Sequence, residues 1–310
     1  MSIVGQLRPV MAGVDYSPPG RLAVSYADWE ARRRGVDLRL VHGFVPAAPG
    51  ELPPLPANDD NALVLAAQER LAEFGAQVRG DRPAGSATAV TTTVVAGSGG
   101  MTLVRESGSA GLVVVGARGQ GGFGDLLVGS VATQVARHAH APVIVVRPPV
   151  RAADGVPPSG CVLVGVDGST PSEETLRFAF DEAGARRVGL VAVQVWSIQT
   201  LSARSAGTVW PRNLTDARTQ LRAIADRVLA EELSGWSAKY PEVDVELQSV
   251  HGDEPARILL EIADEVEADL IVVGAREASG SGPVLGSVSQ TLVAFARASV
   301  AVIHPNRDRE

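Results

Sequence analysis

Gly116-Ala117-Arg118-Gly119 is followed, after nine residues, by Gly129-Ser130, and far upstream Asp15 closes the apolar run Val10-Met11-Ala12-Gly13-Val14. These residue types at this spacing suit the binding of a phosphorylated sugar. Glycines let backbone N–H groups approach an anion closely and adopt positive φ. A helix opening at Gly129-Ser130 adds unpaired N–H donors and about half a positive charge. Ser130 brings a hydroxyl donor and Arg118 a charge, and a strand-end Asp15 suits a ribose hydroxyl or an adenine amino group. Each part also has a plainer reading. Glycine turns join strand to helix in any α/β protein, and a serine at a helix start is often only its N-cap.

Other chemistries are poorly supplied. Of the 28 basic residues only Lys239 is lysine, in Ser237-Ala238-Lys239-Tyr240-Pro241 and away from any glycine-rich loop. Phosphate-binding P-loops and protein kinases both need a lysine at the phosphates. No Gly-x-Ser-x-Gly elbow is present. His138 and His140 have a spacing that metals can use, but no Cys or carboxylate cluster accompanies them, and histidines at a helix end suit its dipole. Cys161 reads as a small core residue at a strand start. Gly97-Ser98-Gly99-Gly100 follows the third strand rather than the first, so it reads as a turn leading into a helix. Trp196 ends a strand, where it stacks on a base or simply packs. Arg32-Arg33-Arg34 reads as a solvated, dipole-favoured helix end.

The elements that must position these residues are visible as periodicity. Short β-branched runs predict strands at 8–14, 37–45, 87–95, 111–116 and 142–147, with helical windows at 20–34, 60–80, 100–108 and 129–139 between them. Leu112-Val113-Val114-Val115 lacks polar alternation, as expected of a parallel strand covered on both faces. Five strands alternating with four helices imply a doubly wound sheet, whose ligands lie beyond the strand C-termini. The pattern then recurs, with strands near 161–166, 187–196, 243–250, 269–274 and 299–304. Val10-Met11-Ala12-Gly13-Val14-Asp15 returns as Leu163-Val164-Gly165-Val166-Asp167, Val113-Val114-Val115-Gly116-Ala117-Arg118 as Ile271-Val272-Val273-Gly274-Ala275-Arg276, and Val128-Gly129-Ser130-Val131 as Leu285-Gly286-Ser287-Val288. A repeat of this length is a domain duplication. Pro148 to Gly160, rich in Pro and Gly, reads as the linker.

Composition agrees with two such domains. The 310 residues are 45% hydrophobic and 20% charged, enough for two cores of about 150 residues each. A net charge of −7 argues against a general nucleic-acid binder. The first 150 residues carry 13 bases against 12 acids, the remainder 15 against 23. A single cysteine fits a reducing compartment. Met1 to Arg8 lacks a signal-peptide pattern, and the longest apolar run is about six residues against the roughly 20 of a spanning helix. The expected location is the cytoplasm, away from membranes.

Gly-x2-Gly-x9-Gly-Ser/Thr, with a strand-end aspartate near the start, resembles the nucleotide-binding class of the universal stress protein family. The resemblance covers nearly the whole chain twice and looks like the tandem type common in actinobacteria; His138-Ala139-His140-Ala141-Pro142-Val143 and Phe180-Asp181-Glu182-Ala183 also fit. It implies two tandem Rossmann-like domains of the adenine nucleotide alpha hydrolase-like type, residues 1–147 and 161–310 joined by 148–160. Each is a five-stranded parallel sheet of order 3-2-1-4-5 with helices on both faces. It further implies ATP across the ends of strands one and four, with Mg2+ held by phosphates and water rather than by side chains. Carried over by motif, Gly13, Val14 and Asp15 lie near ribose and adenine, His42 and Gly43 flank the base, and Gly116, Arg118, Gly119, Gly129, Ser130 and Val131 surround the phosphates. The last strands, around Val143 to Val146 and Val300 to Ile303, are the family's pairing surface, which implies pairing of the two halves and a homodimer. The implied function is an ATP-binding stress-response or regulatory protein that acts through nucleotide-dependent conformation or partner choice. A slow nucleotide hydrolase, at most a weak ATPase, and a nucleotide-free interaction scaffold are the alternatives.

The second copy keeps Gly165, Val166, Asp167, Val195, Gly274, Arg276, Gly286, Ser287 and Val288 as a possible weaker site. Glu277, however, stands where the first copy has Gly119, and the spacer is eight residues instead of nine. Two unit charges 4 Å apart interact by ~4 kcal/mol at an effective dielectric near 20, so a carboxylate there repels a polyphosphate. Weaker binding or none is expected in this half, unless Gly280-Ser281-Gly282 rebuilds the cradle by a shift of register.

Overall fold

The computed structural model describes residues 8–45, 60–119, 128–148, 160–167, 172–197, 214–278 and 282–304, and within these only the backbone of 60, 61, 172, 214–218, 276–278 and 282–284. Pro46 to Pro56, the residues just after Ser197, Gly280 and Ser281, most of the expected linker, and residues 120–127 between Gly119 and Gly129 lie outside the described residues.

The chain divides into two compact units, one reaching Pro157 and the other formed by Pro158–Pro305. The first contains β1 (Val10–Gly13), α1 (Pro18–Arg34), β2 (Leu38–Phe44), α2 (Asp60–Gly80), β3 (Val90–Ala96), α3 (Gly99–Glu106), a 3-10 turn (Ser107–Ser109), β4 (Leu112–Gly116), α4 (Ser130–His138) and β5 (Val143–Val146). Its strands are all parallel, in the order β3-β2-β1-β4-β5. The second unit contains β6 (Val162–Val166), α5 (Ser172–Arg186), β7 (Leu190–Trp196), α6 (Leu214–Lys239), β8 (Val245–His251), α7 (Pro255–Glu265), β9 (Leu270–Gly274), β10 (Arg276–Ala278), β11 (Gly282–Val284), α8 (Ser287–Phe295) and β12 (Ser299–Ile303). Its parallel strands run β8-β7-β6-β9-β12, the same order repeated. The fold expected from the alternating pattern and from the family resemblance is the one observed.

Helix ends follow local chemistry more than periodicity. Ser17 accepts a hydrogen bond from the Gly20 N–H at 3.1 Å, and Pro18 and Pro19 fill the first helical positions, where a missing N–H loses nothing. This cap starts α1 two residues before the amphipathic pattern does. Gly35, at φ 65°, closes the helix and bonds back to Ala31 and Arg32. The arginines ahead of it are less solvated than their run suggests. Glu30 is fully buried and takes Arg33 and Arg34 as partners, while Arg32 bonds Asp28. The second copy repeats the device, with buried Glu182 paired to Arg186.

Successive strand residues face opposite sides of the sheet, which separates the helices into two layers. In β2, Leu40 lies toward Gly75 of α2, whereas Gly43 lies on Gly99 of α3. Helices α1 and α2 therefore cover one face of the first sheet, and α3, packed on α4, the other. Both faces being covered explains why β4 and β5 are apolar at every position: Leu112 to Val114 and Val143 to Val145 are inaccessible to solvent.

Candidate functional site

β1 delivers Asp15 to the C-terminal edge of the first sheet. Val14 continues the ladder by donating to Val41 O at 2.9 Å, and its own carbonyl accepts from His42 Nδ1 at 2.7 Å. The Asp15 carboxylate is then fixed by its neighbour: Oδ1 accepts from the Ser17 N–H at 3.0 Å and from Ser17 Oγ at 2.7 Å. A Cβ on Gly20 would overlap that same oxygen. The other oxygen, Oδ2, lies so near Gly119 that a Cβ there would stand 2.5 Å from it. Residues 104 positions apart thus meet because β1 and β4 are neighbours.

The glycine motif assembles around this contact. A Cβ on Gly116 would stand 2.8 Å from Pro19 O, so the first turn of α1 rests on the end of β4. Gly129 donates to Ala117 O at 2.7 Å and lies close to Arg118 Cα and Gly119 N, closing the neck of the loop. Gly129, not Ser130, is the N-cap of α4. Ser130 is instead the exposed first helical residue, so the first-turn amides have no side-chain cap, and the plain N-cap reading of this serine does not hold. Arg118 is exposed beside the neck, and Val131 sits near Gly99 at the start of α3.

That start of α3 is the part sequence reasoning undervalued. Gly97-Ser98-Gly99-Gly100 does lead into a helix, as read, but the turn lies against the site residues. Gly97 has φ 138°, Ser98 makes no side-chain cap, and Gly99 approaches Gly43 so closely that a Cβ on Gly43 would be 2.6 Å from its Cα. Two helix N-termini without side-chain caps therefore converge beside Asp15, Gly43 and Gly119. Gly13 has a packing reason, since a Cβ there would stand 2.7 Å from Leu103 Cδ1.

Tyr16 carries no obvious signal in sequence, yet the structure gives it φ 62°, the left-handed region that favours glycine. The second copy has Gly168 at the matching position. The Tyr16 ring lies 5.3 Å from His42 and 5.8 Å from Phe74, with the Arg70 guanidinium 4.0 Å above it. Its hydroxyl is buried and finds no hydrogen-bond partner among the described residues. Burial pushes its pKa above the usual value, and Arg70 pulls the other way. The cluster backs His42, and through it the Val14 carbonyl, on the α1–α2 face.

In the second unit Gly165, Val166, Asp167, Gly274, Gly286, Ser287 and Val288 occupy equivalent places on β6, β9 and the start of α8, with Gly286 as N-cap. Val195 lies near the end of β7, paired with Val250. The second unit's residues just after Ala275 take up strand structure. Arg276 to Ala278 pair antiparallel with Gly282 to Val284, Glu277 opposite Pro283, forming a small hairpin. The side chains of Arg276 and Glu277 lie outside the described residues. Trp196 is 4% exposed, donates to Ser249 Oγ at 3.1 Å and packs with Leu221 and Ala225; of its two readings, packing is the one observed.

Among the described residues no three His, Cys, Asp or Glu side chains are grouped to hold a metal, and His138 and His140 are both exposed. Burial, reinforced by Asp269, pushes the Cys161 thiol up, away from the reactive thiolate. No described helix is long and apolar enough to cross a membrane.

The profile of the universal stress protein family matches residues 6–147 and again 161–304. A universal stress protein of Mycobacterium tuberculosis (H37Rv) is 36% identical over 303 residues, spanning 94% of this chain and 95% of its own. One from Mycolicibacterium smegmatis is 35% identical over 306 residues, spanning 96% and 97%. In structure, a universal stress protein of Archaeoglobus fulgidus DSM 4304 superposes with a TM-score of 0.63 at 18% identity, over 96% of this chain and 98% of that one. At that identity the likeness is one of fold.

Proposed function

From the premise that this chain belongs to the universal stress protein family, we propose that its N-terminal unit binds an adenine nucleotide, ATP with Mg2+, and acts through nucleotide-dependent conformation or partner choice. The observation that carries this reading is the contact of Asp15 Oδ2 with Gly119 beside the uncapped start of α4. A carboxylate for the sugar and unpaired amides for phosphates lie within one nucleotide's reach. Ser17 holds Asp15 in the rotamer that faces Gly119, and Gly43 marks the edge where the base would lie. The phosphates and water hold the Mg2+, in keeping with a cation that retains most of its water.

The second unit binds more weakly or not at all in this reading. Its Arg276–Ala278 backbone is engaged in strand pairing with Gly282–Val284, and Glu277 adds a carboxylate where the first unit has Gly119. Calorimetric titration of ATP tests the proposal. Wild type takes up ATP, and Gly119→Glu, which copies the second unit's residue into the first, lowers affinity at least tenfold, equivalent to about 1.4 kcal/mol. Because any Cβ at Gly119 would stand 2.5 Å from Asp15 Oδ2, Gly119→Ala is the control: it displaces Asp15 without adding charge, and the further loss in Gly119→Glu measures the carboxylate. Denaturing the purified protein and chromatographing the supernatant is the companion measurement. Protein that releases no nucleotide and gives no heat with ATP is a scaffold, and the proposal then fails.

A further inference from the structure

Tyr16 stands between the Asp15 carboxylate and the cap at Ser17, in a backbone conformation that a side chain disfavours. Its φ of 62° lies in the left-handed region, which places Cβ too close to the following carbonyl oxygen. The matching residue of the second copy is Gly168, a type that adopts such a φ freely. A conformation of this kind persists only where the surroundings over-determine it. Asp15 Oδ1 accepts from both the N–H and the hydroxyl of Ser17. The carboxylate and the Tyr16 backbone therefore belong to one closed turn, and neither changes without the other.

The contacts that hold Tyr16 come from α2 and β2. Its ring meets Phe74 of α2 edge-on at 5.8 Å, and the guanidinium of Arg70, one helical turn before Phe74, lies 4.0 Å above it. His42 of β2 supplies a further side at 5.3 Å and is itself bonded to Val14 O, next to Asp15. The buried Tyr16 hydroxyl has no hydrogen-bond partner among the described residues, so ring packing and the cation hold this side chain, not its polar end. Arg21 of α1 lies over the other aromatic, Phe74, at 5.1 Å. Farther along, Gly75 of α2 rests on Thr92 of the edge strand β3. The link from α2 to the turn of Asp15 thus runs through one tyrosine ring.

We infer that Tyr16 couples nucleotide binding at Asp15 to α2, so that this helix is the element through which the N-terminal unit reports its occupancy. The inference rests on the nucleotide reading above and names the part of the fold that responds. A ligand on Asp15 fixes the turn, the fixed turn holds the Tyr16 ring, and the ring restrains Phe74 and Arg70. By linkage the coupling is reciprocal, and loosening α2 weakens nucleotide binding. The second unit, with a glycine at this place, has no side chain to carry such a response.

Hydrogen–deuterium exchange of the full chain, with and without ATP at concentrations that saturate each protein in calorimetry, tests the coupling. In wild type, ATP is expected to slow amide exchange across α2 by about fivefold or more. Tyr16→Gly copies the second unit's residue and leaves the left-handed turn available; it loses most of that slowing but keeps the slowing over the first turn of α4. Arg70→Met, which removes the cation above the ring, also loses part of the α2 response. Tyr16→Phe, which keeps the ring, retains it. Should Tyr16→Gly not fold, Tyr16→Asn gives the same comparison, since asparagine tolerates the left-handed region. An α2 response unchanged in Tyr16→Gly overturns the coupling, and so does its loss in Tyr16→Phe. Slowing spread equally over α2 and α6 is global stabilisation and overturns it too. Wild type that binds ATP with no change in α2 overturns the coupling alone; wild type that binds no nucleotide overturns the parent reading with it.

Discussion

Asp15 owes its direction to a serine two residues away. Ser17 Oγ donates to Asp15 Oδ1 and accepts from the Gly20 N–H, so one hydroxyl both orients the carboxylate and caps α1. Loss of an N-cap serine costs about 1 kcal/mol. Ser17→Ala is therefore expected to lower stability in urea denaturation by about that amount and to weaken ATP binding, with Ser17→Thr restoring both. A cap effect without a binding effect would show that Asp15 does not need this partner. The sequence made Asp15 and Gly119 visible as residue types, but not their contact. Nor did it reveal Tyr16, whose left-handed backbone is a property of the turn.

Among elements, the pattern located nearly every helix and strand and erred mainly at their ends. Periodicity reports the buried face of a helix, while its first and last residues are decided by caps such as Ser17 and Gly35. The short hairpin β10–β11 escaped notice because three-residue strands carry no periodic signal. The junction of α5 and α6 offers an element-scale test. Tyr240, just past α6, donates its hydroxyl to Asp181 of α5 at 2.7 Å, and its ring lies 5.3 Å from Phe180. Burial, then the Asp181 hydrogen bond and charge, push its pKa from 10.0 to about 12. The folded state holds this proton more tightly than the unfolded chain does. Its contribution is complete below pH 10 and is lost as pH rises toward 12. Urea denaturation across that window should show wild type losing its advantage over Tyr240→Phe; a constant difference would mean the bond has no weight.

At the scale of the whole molecule, one chain holds two copies of one fold with unequal glycine motifs. Calorimetry should return one tight nucleotide per chain, and two equivalent tight sites would contradict the division of labour proposed between the units. Hydrophobic periodicity, the repeated strand–glycine motif and the substitution of Glu277 for Gly119 are local properties of the chain. They sufficed for two parallel sheets of order 3-2-1-4-5, for the family, and for the expectation of asymmetry. Which residues touch is different in kind. Asp15 meets Gly119 and Gly43 meets Gly99 because strands distant in sequence lie about 4.8 Å apart in a sheet. A linear pattern encodes which face of a strand is buried, but only closure of the sheet brings the strand ends together, and it is at those ends that the candidate site is made.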